Sequence, residues 1–95
     1  MDKMEAYREK LEAQLKEWKA KIEMLEKKAA KATGETKAEM MRSIEELRQK
    51  KEVVKEKWNA LQKESGIAWD KMKENVEKAA SELKSAMDKV VSRFK

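Results

Sequence analysis

Gly34 and Gly66 are the only glycines in a chain of 95 residues that contains no proline, and they divide it into three near-equal parts. Glycine and proline are the residues that interrupt helices most strongly. Between the two glycines the sequence is dominated by Ala, Glu, Lys, Leu, Met and Gln, the strong helix formers. Adjacent β-branched residues occur only at Val53-Val54 and Val90-Val91. These features predict an all-α protein, a single helical domain over residues 1–95. Helix 1 is expected at about 2–33, helix 2 at about 36–64 and helix 3 at about 67–94.

The first division carries full stop and start chemistry. Lys27, Lys28 and Lys31 precede Gly34 and complement the negative end of a helix dipole. Gly34 can take the left-handed conformation that ends a helix. Thr36 to Glu39 then reads as a capping box, with Thr36 as N-cap and Glu39 reaching back to it. Asp2 and Glu5 give a similar, weaker start for helix 1.

Apolar residues recur in alternating steps of three and four, the spacing of coiled-coil helices. Helix 1 presents Met4, Leu11, Leu15, Trp18, Ile22, Leu25, Ala29 and Ala32. Helix 2 presents Met40, Ile44, Leu47, Val54, Trp58 and Leu61, with Lys51 in one apolar slot. Helix 3 presents Trp69, Met72, Val76, Ala79 with Ala80, Leu83, Ala86 with Met87, Val90 and Phe94.

The second division is less decisive. Ser65 can cap helix 3, but Ala68 rather than Glu stands three places on. The eleven residues from Trp58 to Trp69 amount to a stutter that one continuous helix absorbs. Two architectures follow. One is an antiparallel three-helix bundle or coiled coil. The other is a helical hairpin whose second helix runs on unbroken, with oligomerisation covering residues 67–95.

Folding the chain at both glycines groups the stripes into layers. Tyr7 joins Leu61 and Trp69; Leu11 joins Trp58 and Met72; Leu15 joins Val54 and Val76. Ile22 joins Leu47 and Leu83, Leu25 joins Ile44 and Ala86 or Met87, and Ala29 joins Met40 and Val90. The bulkiest layer, Trp18 with Lys51, falls level with Ala79 and Ala80, the smallest side chains on helix 3. Large beside small is how cores reach native density. This register favours the bundle. Tyr7 is expected at its end, with its hydroxyl in water.

The chemistry that such a chain can perform is narrow. It contains no His and no Cys, so the common general base, the usual transition-metal ligands and the most reactive nucleophile are missing. Ser43, Ser65, Ser81, Ser85 and Ser92 have only Lys or Glu on a helix surface to activate them. Neither glycine belongs to a phosphate-cradling loop. Glu45-Glu46 is an outer-face pair without the inward Glu-x-x-His of di-metal bundles. No catalytic residue, cofactor or metal is expected.

Charged residues make up 45% of the chain and the net charge is +5, spread evenly over its three parts. A nucleic-acid binder gathers its cations on one face or tail, so nucleic acid is not an expected partner. No apolar run approaches the ~20 residues that span a bilayer. The opening MDKMEAYREK has no apolar segment of the secretory type, so the expected location is cytoplasmic. Trp18, Trp58 and Trp69 lie on apolar stripes and read as core rather than base-stacking residues.

The stretch from Tyr7 to Trp18, YREKLEAQLKEW, and the stretch GIAWDKMK from Gly66, followed by Lys-Ala/Ser-Glu-Leu-Lys repeats and Phe94, resemble a set of small bacterial coiled-coil proteins of apolipoprotein-like type. The resemblance covers most of the chain. It implies a helical hairpin or bundle and supplies no catalytic or binding residues. The expected function is a structural or protein-interaction module that self-associates or binds a protein partner. Reversible binding to lipid or other apolar surfaces through the amphipathic helix 67–94 is the alternative, strengthened by the resemblance.

Overall fold

The computed structural model describes residues 3–94. Three helices account for nearly all of them: α1 (Lys3–Lys31), α2 (Gly34–Leu61) and α3 (Gly66–Arg93). Helix α1 packs on α2 and α2 on α3, and the fold is an all-α three-helix bundle. Residues 1–44 form one compact unit and residues 45–95 another, the boundary falling inside α2.

In the first unit, α1 reverses into α2 through Ala32 and Thr33. The Ala32 amide donates to the Ala29 carbonyl at 3.1 Å, a tighter span than the α-helical one. Gly34 follows at φ +61°. Helix α2 starts at that glycine, and the Lys37 amide donates to the Thr33 carbonyl at 3.4 Å. This corrects the capping-box assignment. The left-handed glycine completes the reversal by itself, so Thr36 lies within the first turn of α2 rather than before it. Lys28 and Lys31 close α1 and Glu35 opens α2, each matched in sign to the dipole end it occupies. Asp2, the other expected start signal, lies outside the described residues.

The buried side chains of this unit are Tyr7, Leu11, Trp18, Ile22, Leu25 and Ala29 on α1, with Met40 and Ile44 on α2. Leu15, in the slot between Leu11 and Trp18, is half-buried. Tyr7 departs from expectation: its ring and its hydroxyl oxygen are both buried, not solvated.

In the second unit, the helical winding of α2 persists past Leu61 in tightening steps. The Gln62 amide donates to the Trp58 carbonyl at 3.1 Å, Lys63 to Ala60 at 3.2 Å and Glu64 to Leu61 at 3.0 Å. Only then does the chain leave the helical region, with Ser65 extended and Gly66 at φ +63°. The chain therefore turns at Ser65-Gly66, and α3 returns against α2. A single helix running from residue 34 to the end is not the architecture.

Leu47, Val54, Trp58 and Leu61 on α2 are buried, as are Trp69, Val76, Ala79, Leu83 and Met87 on α3. Met72, Ala80 and Val90 are half-buried. Lys51 occupies the slot between Leu47 and Val54 and is also half-buried, which suits a side chain with an apolar stem and a charged end. Among the described residues no polar or charged side chain is buried in the core.

Two outcomes are expected from this packing. Leu47 is fully shielded, so Leu47→Ala should lower unfolding free energy by about 2–5 kcal/mol, read from urea denaturation. A Cβ at Gly34 would meet nothing within 4 Å, so the cost of Gly34→Ala comes from backbone conformation and should be about 1–2 kcal/mol.

Candidate functional site

With the three stripes buried, the outer faces carry most of the polar groups. Those faces are charged, and part of that charge is consumed within each helix. Glu17 and Lys21 on α1 pair at 3.2 Å, four residues apart, with the acid nearer the N-terminus, the favourable orientation. Glu45 and Arg48 pair at 3.6 Å on α2. Each such exposed pair contributes about 0.3–0.5 kcal/mol.

On α3 one lysine serves two partners. The Lys73 ammonium stands 5.4 Å from the Trp69 ring centroid and 3.9 Å from the Glu77 carboxylate. Residues 69, 73 and 77 succeed one another at four-residue intervals, which stacks them along one side of the helix. The indole is buried, and the Lys73 ammonium stands over its ring with the Glu77 carboxylate on the other side.

A shallow groove of about 310 Å³ lies between α2 and α3. Val53 and Lys57 line it from α2; Asn75, Lys78, Ala79 and Glu82 line it from α3. It is open to water, and its polar groups are two ammonium groups, one amide and one carboxylate. Among the described residues no group of His, Cys, Asp and Glu could hold a metal ion, and no helix is long and apolar enough to cross a membrane.

Among the described residues, four large apolar side chains stand in solvent: Met24 and Met41 in the first unit, Val53 and Ile67 in the second. None was singled out by the periodicity, because none lies on a core stripe. That offset was the available signal. Met24 falls between Ile22 and Leu25, and Met41 directly after Met40, so each breaks the three-four spacing. Of the residues expected in the core, Leu15, Met72 and Val90 are half-buried and the others are buried.

Comparison with protein-family models, curated proteins and solved structures finds no match to this chain.

Lys73→Ala should remove both the ring contact and the ion pair. The expected loss is about 0.5–1 kcal/mol in urea unfolding, and 1 M salt should abolish only the share that belongs to Glu77.

Proposed function

We propose that this protein is a non-enzymatic structural and interaction module, a helical bundle that works by protein–protein contact, self-association included. The observation that carries this reading is the exposure of Met24 and Met41, at 59% and 51%, on the two helices of one hairpin. Thioether side chains adapt to irregular apolar surfaces and are over-used where binding is adaptable. Lys28 stands one turn after Met24 and Lys37 one turn before Met41. The complementary partner presents an apolar spot bordered by carboxylates. The absence of His and Cys from the sequence supports the non-enzymatic part. A cytoplasmic setting belongs to the same reading.

A second reading, reversible binding to lipid surfaces through residues 67–94, draws on Ile67, 88% exposed at the start of α3, and on the apolipoprotein-like resemblance. It requires unit 2 to open, because Trp69, Val76, Leu83 and Met87 are buried in the closed form. Co-sedimentation with phosphatidylcholine–phosphatidylglycerol vesicles tests it; protein that stays in the supernatant at every lipid concentration removes it.

Sedimentation equilibrium tests the first reading. The weight-average mass should rise above 11.1 kDa with concentration. The double variant Met24→Glu, Met41→Glu should associate more weakly than the native chain, with unchanged helical circular dichroism. A native chain that is monomeric throughout would sink the self-association part.

A further inference from the structure

The two turns of this bundle are built differently, and the difference points to a second copy of the chain as a partner. At the first turn, Lys28 and Lys31 complement the C-terminus of α1 and Glu35 the N-terminus of α2. At the second turn, the last turn of α2 has no basic residue and the first turn of α3 has no acidic one. Ser65 occupies the N-cap position of α3 yet makes no side-chain capping bond. The helical winding of α2 continues by hydrogen bonds as far as Glu64. What stops the helix is therefore confined to two residues, extended Ser65 and left-handed Gly66. Between residues 61 and 67 there is no proline, so no other residue there forbids a continuous helix.

We infer that Ser65-Gly66 is a hinge through which two copies exchange α3. When both residues adopt helical values, α2 and α3 become one rod, and the stripe of Trp69, Val76, Leu83 and Met87 leaves its own α2. The surface that fits this stripe best is the α2 it has just left, and a second opened copy presents that same surface. Exchange keeps every α2–α3 contact and changes only which chain supplies it, which is why swapping is a low-cost route to dimers. This rests on the reading that the chain works by assembly and names one partner for it; the mode is distinct from contact through Met24 and Met41.

Position 66 controls the balance. Ala at φ near +60° is disfavoured by a factor of about 5 to 30 relative to glycine, and within a helix it is favoured by a factor of about 5. Both effects act in the same direction, at two hinges per dimer. Gly66→Ala should therefore tighten dimerisation by roughly three to four orders of magnitude.

The chain has no native cysteine, so a reporter pair is clean. Lys57→Cys and Asn75→Cys sit on the two helices that line one groove. A bis-maleimide joins them within one chain when α3 is closed and between chains when it is exchanged. The pair is introduced into the Met24→Glu, Met41→Glu chain, which removes outer-face association. The chain is refolded from micromolar to millimolar concentration and run on a denaturing gel. Interchain product should rise with concentration and rise further in Gly66→Ala, while Gly34→Ala, strained at the other turn, should leave it unchanged. Dimers carrying only intrachain links would overturn exchange without touching the assembly reading. Equal interchain product in the two glycine variants would overturn the hinge. Should Gly66→Ala fail to fold, the chain with glycine at 66 decides, and no interchain product at millimolar concentration overturns the proposal.

Discussion

A right-handed helix cannot reverse without a residue that leaves the helical region, and only glycine visits the left-handed region at little cost. The rest of this structure depends on that constraint being met twice, at Gly34 and Gly66, in a chain that everywhere else favours continuing the helix. Each reversal turns an amphipathic helix, marginal in water by itself, into half of a packed pair. The stripes then supply the stability: a fully buried Leu or Val contributes roughly 1.5–3 kcal/mol against its exposed state, and Leu47, Leu61, Leu83, Val54 and Val76 are all shielded to that degree. The surface ion pairs are minor beside this.

Most of the architecture was legible in the sequence because helix periodicity and glycine position are local signals. Three helices, their order and the stripe each presents could all be read from spacing. Boundaries were harder. The expected cap at Thr36 relied on a side-chain motif, whereas the backbone of Gly34 performs the reversal two residues earlier. At the second turn phase alone does not distinguish a stutter from a bend; the layer register favoured the bend, and the chain does turn at Ser65-Gly66. The choice is made by the α2–α3 packing, which no local pattern encodes.

Tyr7 shows a further limit. Its place near a helix start suggested solvent, but the structure buries its hydroxyl oxygen as well as its ring. End effects depend on how far neighbouring elements extend, and periodicity has no information about extent. The outer-face residues were hidden for a related reason. Heptad reading sorts residues by whether they match a stripe and discards those that do not, so Met24, Met41, Val53 and Ile67 fell out of view.

Adjacent positions 40 and 41 carry the same side chain in opposite environments, Met40 at 4% exposure and Met41 at 51%. Peroxide reaches the outward thioether before the inward one. Its sulfoxide is polar and chiral, and reductases can reverse it. Oxidation at Met41 and Met24 thus rewrites the outer surface and spares the core, whereas the same chemistry at Met40 or Met87 strikes the packing itself. The outward thioethers of Met24 and Met41 thus meet oxidant before the buried ones of Met40 and Met87.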